Sequence, residues 1–196
     1  MRIVIATHNK HKVIEFKRIL EPLGFEVVSQ TDANINAVAV EDGKTFAENS
    51  LKKAETVKNA GNCISIADDS GICIDAFDGA PGIYSARFLG EDTPYTEKNA
   101  IVLDKLKDIP EKDRGARYVC AISCVFPNGD VISAEGICEG KIGYEPKGSN
   151  GFGYDPIFYV GDKSMAEISD EEKDLISHRG IALRKFVDKL KNYLNK

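Results

Sequence analysis

At 196 residues, 42% hydrophobic and 29% charged, the chain is long enough to bury a substantial core and has the make-up of a soluble globular protein. Its net charge of −5, with no acidic or basic tail, excludes general affinity for nucleic acid or an anionic membrane, so an anionic ligand must be met by a local cluster of Lys and Arg or by a metal. Five cysteines without a Cys-x-x-Cys pair, no uncharged run near the ~20 apolar residues of a membrane span, and an N-terminus that enters a strand without a signal peptide predict a reduced, cytoplasmic protein lacking disulfides and a zinc site.

Arg2–Ala6 is a short apolar run that predicts a buried strand. The polar loop Thr7-His8-Asn9-Lys10-His11-Lys12 follows, and Val13, Phe16, Ile19, Leu20 and Leu23 then recur at helical spacing up to Gly24. Lysines at a helix N-terminus oppose the macrodipole, so Lys10 and Lys12 make sense there if an anion such as phosphate visits. Phe25–Val28 predicts a second strand, and residues 30–43 a loop carrying Glu41-Asp42. Thr45-x-x-Glu48 is a capping box that opens a helix from Phe46 to about Ala60, with Lys52 and Lys53 on it and Gly61 closing it.

The strand Cys63–Ala67 delivers Asp68-Asp69-Ser70-Gly71 at its end, and Ile72–Ala76 reads as a further short strand. Two adjacent acids repel, and a hard divalent cation such as Mg²⁺ compensates them. Gly79-Ala80-Pro81-Gly82 is a turn, and Arg87 stands among aromatics where it can hold a phosphate or a carboxylate. Thr93 or Thr96 opens a helix with Ala100, Leu103 and Leu106 on one face. Arg117–Phe126, Pro127-Asn128-Gly129-Asp130 and Val131–Ile142 predict a hairpin, which adds antiparallel strands to a sheet begun as βαβ. Gly148–Pro156 is a Gly-rich loop with two aromatics and an Asp, suited to a flat ligand. From Asp170 the chain is helical, with an apolar stripe from Leu183 to Leu194.

Five stretches in order resemble the inosine/xanthosine triphosphate pyrophosphatase family: Thr7-x-Asn9-x-x-Lys12, Ala67–Gly71, Gly79–Arg87, Gly151–Pro156 and Ser177-His178-Arg179. The resemblance covers nearly the whole chain. It implies an α/β fold with an elongated mixed sheet flanked by helices, one domain of two lobes sharing the sheet with the active-site cleft between them, and a homodimer. It also implies hydrolysis of a purine nucleoside triphosphate (ITP, dITP or XTP) between the α and β phosphates with Mg²⁺ as cofactor. Asp69 would hold the metal with Glu41, or with Asp42 beside it, and would act as general base, with Asp68 in support. Thr7, His8, Asn9, Lys10, His11 and Lys12 would meet the triphosphate with Lys53, and Ser70 would donate to the substrate. Phe152, Gly153, Tyr154, Asp155, Lys173, His178 and Arg179 would form the base pocket, donors on the last two suiting a 6-oxo group and rejecting the 6-amino group of adenine. A related pyrophosphatase of modified pyrimidine nucleotides, and a sensor that binds without turnover, are the competing readings.

Overall fold

The first apolar run forms strand β1 (Arg2–Ile5), and the periodic segment behind it forms helix α1 (Lys10–Leu20), in the computed structural model of the chain, which describes residues 1–195. The helix starts before its apolar stripe because Asn9 caps it: Asn9 Oδ1 accepts from the backbone N–H of His11 at 3.0 Å and of Lys12 at 3.3 Å. Strand β2 (Glu26–Ser29) and helix α2 (Phe46–Gly61) follow. Thr45 caps α2 as predicted, its Oγ1 accepting from Glu48 N–H at 3.1 Å. The Glu48 carboxylate reaches back one residue further than a capping box requires, to Lys44 N–H at 2.7 Å.

Strand β3 (Ser65–Ile74) corrects the expectation of one short strand ending at Ala67 and another from Ile72. The two acids sit in the middle of one ten-residue strand, and Gly71 is there for space. A Cβ on Gly71 would fall 2.3 Å from Gly82 O and 2.4 Å from Ser85 Oγ. Ser85 Oγ instead accepts from Ile72 N–H at 2.9 Å, so the Gly79–Arg87 segment packs directly on the strand.

Helix α3 (Tyr95–Lys105) starts after Pro94 with no side-chain cap; neither Thr93 nor Thr96 supplies one. Strands β4 (Gly115–Val125) and β5 (Val131–Ile142) form the predicted hairpin, closed by Phe126 N–H on Asp130 O at 2.9 Å, with Gly129 at φ +92°. Strands β6 (Phe158–Val160) and β7 (Lys163–Ser164) are too short to show a period in the sequence. The C-terminal region divides into α4 (Asp170–Ile176) and α5 (His178–Leu194), broken at Ser177, whose backbone is extended. Helix α4 opens on a full capping box, Ser169 with Glu172.

The strands form one mixed sheet of seven, in the order β2-β1-β3-β4-β5-β6-β7. Strand β1 pairs parallel with β2 and β3, whereas β6 pairs antiparallel with β5 and β7. The chain divides into two compact units, and β3, β4 and β5 contribute residues to both. The first unit comprises Met1–Asp69, Cys120–Gly136 and the segment from His178; the second comprises Ser70–Val119 and Ile137–Ser177. In the first unit, Ile3 and Ile5 of β1 pack with Phe16 of α1 and Leu183 and Phe186 of α5, while Val4 and Ala6 pack with Ala54 and Val57 of α2. The second unit has its own core of Ile72, Ile74, Val102, Tyr118, Ile157 and Phe158 among others. Among the described residues, no helix is long and apolar enough to cross a membrane.

Candidate active site

Strand pleat decides where the two adjacent acids point. Successive side chains leave a strand on opposite faces. On β3, Ile66 joins the core shared with α1 and α5, and Ala67 joins the core shared with α2. Asp68 inherits the direction of Ile66, and Asp69 that of Ala67. The repulsion expected between neighbouring carboxylates is therefore relieved by the sheet itself, and each acid finds its own cations.

Asp68 is fully buried on the α1/α5 face. Its Oδ2 accepts from Arg179 at 2.8 Å (Nη2) and 3.2 Å (Nε), and lies 2.9 Å from Lys12 Nζ. The same guanidinium reaches buried Glu15 through Nη1. Burial alone would push the Asp68 carboxyl up, but the charges of Arg179, Lys12 and Lys53 outweigh it and hold the group well below the usual carboxylate range. Asp69, on the α2 face, behaves the other way. Burial pushes it above the usual range, and the charges of Lys53 and Lys12 do not fully compensate.

Lys53 Nζ lies 3.0 Å from Asp69 Oδ1 and 2.9 Å from Glu41 Oε2. Burial would lower this ammonium, but Asp69, Asp68 and Glu41 together keep it above its ordinary range. Asp42, beside Glu41, turns away to a half-exposed pair with Lys52. Of the two loop acids, Glu41 is thus the one brought to Asp69.

Two carboxylate oxygens, one each from Asp69 and Glu41, converge on one cation at this point. These are hard donors of the kind Mg²⁺ takes. Among the described residues no three His, Cys, Asp or Glu side chains gather into a metal cage. A Mg²⁺ takes one or two protein carboxylates and completes its shell with substrate and water.

The loop before α1 brings several predicted phosphate-binding residues together. Thr7 Oγ1 accepts from Asn9 N–H at 3.2 Å, and Asn9 caps the helix. His8 Nε2 lies 3.1 Å from Nε2 of buried Gln30, which also donates to Ala37 O at 2.9 Å. Lys10 and His11 are exposed, and no acid occupies the first turn of α1.

In the second unit, Asp155 organises the Gly-rich loop. Its Oδ2 accepts from Phe152 N–H at 2.8 Å and from Lys173 Nζ at 2.7 Å, and its Oδ1 accepts from Tyr118 OH at 3.3 Å. Lys173 is buried, with its ammonium 4.9 Å from the centre of the Phe152 ring. Gly151, at φ +73°, has no room for a side chain, because a Cβ would fall 2.2 Å from Asp155 Oδ2. The Tyr154 side chain belongs to the core: its OH donates to Ser85 O at 3.0 Å. Asn99 Nδ2 donates to Gly153 O at 3.1 Å. Ser70 is half-buried on β3.

His178 begins α5 and is buried in the first unit, as is Arg179. Sequence reasoning places Arg179 toward the base; the structure places its donors on Asp68 and Glu15. Glu15 and Asn49 are not singled out by the sequence. The signal for Glu15 is a charge one turn before Ile19, inside the apolar stripe of α1.

A model of the Ham1 family matches residues 3–189 of this chain. The dITP/XTP pyrophosphatase of Exiguobacterium sibiricum is 46% identical over 197 residues, covering 99% of each chain. That of Bacillus subtilis is 48% identical over 184 residues, covering 93% of each. Among solved structures, the Staphylococcus aureus Ham1 protein superposes with a TM-score of 0.87 at 39% identity, over 98% of this chain and all of the other.

Proposed function

Because this chain belongs to the Ham1 family, we propose that it hydrolyses non-standard purine nucleoside triphosphates, dITP, ITP and XTP, between the α and β phosphates, releasing the monophosphate and pyrophosphate. The observation that carries this reading is a pair of neighbouring aspartates with different partners, Asp68 held by Arg179 and Lys12, and Asp69 meeting Glu41 on Lys53. Two such carboxylates divide their roles by environment.

Glu41 and Asp69 would hold Mg²⁺, which when bound neutralises phosphate charge and orients the attacking water. Asp69 would also act as the general base that takes the proton of that water. Asp68 stays ionised and anchors Lys12 and Arg179. Lys53 answers the negative charge of Glu41 and Asp69 here, and passes to the triphosphate when the substrate binds. Lys10 and Lys12 at the start of α1, with Thr7, Asn9, His8 and His11, receive the phosphates. Ser70 donates to the substrate.

Phe152 supplies a face for the base, worth about 1–3 kcal/mol of stacking. Lys173 and His178 donate to the 6-oxo group. Asp155 keeps lone-pair capacity beyond its three present donors and accepts from the protonated ring nitrogen. Arg179 serves as the cation that holds Asp68 and Glu15. Adenine, with a donor at position 6, would leave the pocket donors unpaired.

The test is pyrophosphate release with Mg²⁺ from dITP, ITP, XTP, GTP and ATP. Strong release from the first three and little from GTP or ATP is the expected result. Release of single phosphate would move the cut to the γ position and overturn the mechanism. The same membership leads us to place the protein in the cytoplasm as a homodimer, which sedimentation velocity distinguishes from a monomer.

A further inference from the structure

Helix α2 turns one wholly buried polar side chain into the site, and neither the metal chemistry nor the base pocket uses it. Asn49 has no exposed surface. Its Oδ1 accepts from Gly43 N–H at 2.8 Å, and its Nδ2 donates to Asp69 Oδ2 at 3.2 Å. The two ends cannot be exchanged: the Gly43 amide can only donate, so the oxygen must face it, and the NH₂ group is left for the carboxylate. One turn along the helix, Lys53 meets the other oxygen of the same carboxylate, Oδ1, at 3.0 Å. Helix α2 therefore grips Asp69 by both oxygens.

The Gly43 end ties this grip to the acidic loop. A Cβ on Gly43 would lie 2.6 Å from Asn49 Oδ1 and 2.8 Å from Glu48 Cβ, so only glycine lets the loop come this close to the helix. Glu41 is two residues upstream, and fixing Gly43 fixes the backbone that carries it. A buried amide with unmet ends is costly, and an apolar residue would fill the same helix position without that demand. Both bonds of Asn49 instead serve the two carboxylates that converge on Lys53.

We propose that Asn49 is a positioning residue of this site: its carboxamide clamps Asp69 to the loop that carries Glu41 and so sets the spacing of the two carboxylates. The inference rests on the proposed role of Glu41 and Asp69 as the donors that receive the divalent cation. Groups that orient metal-binding carboxylates typically govern affinity or activity by about 10–100-fold.

The experiment compares Asn49→Ala and Gly43→Ala with Thr45→Ala in the full chain. Thr45→Ala removes the cap of the same helix but touches neither Asp69 nor Gly43. Three quantities are read: binding of Mn²⁺ alone by the signal of the free ion in electron paramagnetic resonance, kcat and KM for dITP, and the midpoint of thermal unfolding. Asn49→Ala and Gly43→Ala are expected to weaken Mn²⁺ binding about tenfold or more and to lower kcat about 10–100-fold with KM changed far less. Thr45→Ala is expected to lower the unfolding midpoint and leave both other quantities near wild type. If Asn49→Ala fails to fold, Gly43→Ala decides, because it opens the same clamp from the loop side. An Asn49→Ala protein that matches Thr45→Ala in all three readouts overturns the proposal, as does a wild type that binds no Mn²⁺. A wild type that binds Mn²⁺ but releases no pyrophosphate overturns the proposed function alone, and the Mn²⁺ measurements still decide for or against Asn49.

Discussion

Asp69→Asn is expected to lower kcat for pyrophosphate release from dITP by about 10²–10⁴-fold, the range typical of a lost general base. The fold should survive. Asparagine keeps the shape of the side chain, and its one oxygen can still accept from Asn49, while Lys53 retains Glu41 as a partner 2.9 Å away. The acid removed is also one that burial already penalises, pushing its carboxyl above the usual range. Losing its charge therefore relieves part of the desolvation cost while it removes half of the proposed cation site. Activity and stability should separate: a large loss of kcat with an unfolding midpoint near wild type. Mn²⁺ binding should fall as well, because Glu41 alone remains. Pyrophosphate release within tenfold of wild type would remove Asp69 from the chemistry and leave it a purely structural anion. The contrast with Asp68→Asn is informative. That change leaves Lys12 and Arg179 without their shared anion, so its first effect should be on stability.

Much of this arrangement is legible in the sequence, and the parts that are not have identifiable causes. The hairpin around Asn128-Gly129, the capped helix from Phe46 and the apolar stripe of the last helix follow from local rules of turn chemistry and periodicity, and the structure has all three. The acidic stretch misleads because Asp-Asp-Ser-Gly has the composition of a turn, whereas its conformation is set by neighbours distant in sequence. Ser85 accepts from Ile72, and Arg179 and Lys12 neutralise Asp68. Those contacts keep polar residues inside a strand that local propensity would have ended. The alternation Ile66/Asp68 against Ala67/Asp69 is present in the sequence, but it acquires meaning only once helices occupy both faces. Asn49 is hidden for a related reason. A lone asparagine in a helix reads as a solvated position, and its two partners lie 6 residues before it and 20 residues after it. The choice between Glu41 and Asp42 requires the rotation of a loop without periodicity, which only the pairing with Lys53 and Lys52 reveals.

Arg179→Met should destabilise the fold more than any of the other substitutions, costing about 3–5 kcal/mol, the usual range for breaking a buried ion pair from one side. Asp68 and Glu15, both buried, would lose the guanidinium they share, and Lys12 alone cannot serve both. A double-mutant cycle with Asp68→Asn checks this, since the second change should cost much less once Arg179 is gone. The pH dependence gives an independent sign. The folded Asp68 carboxyl lies below its ordinary range, so it contributes stability that is present above its unfolded value, about 3.9, and is lost as pH falls further toward the folded value. In Arg179→Met the same buried carboxyl loses its main opposing charge and resists ionisation, so the variant bears its penalty at neutral pH and sheds it in acid. The stability gap between the two proteins should therefore narrow as pH falls. Selectivity separates this role from base reading. If Arg179 acts by holding Asp68 and Glu15, kcat/KM should fall by a similar factor for dITP, XTP and the slow substrate ATP. If its guanidinium reads the 6-oxo group, the discrimination against ATP should collapse while the unfolding midpoint moves little. The two outcomes leave opposite marks on the same pair of measurements, which makes Arg179 the residue on which anchoring and recognition can be told apart.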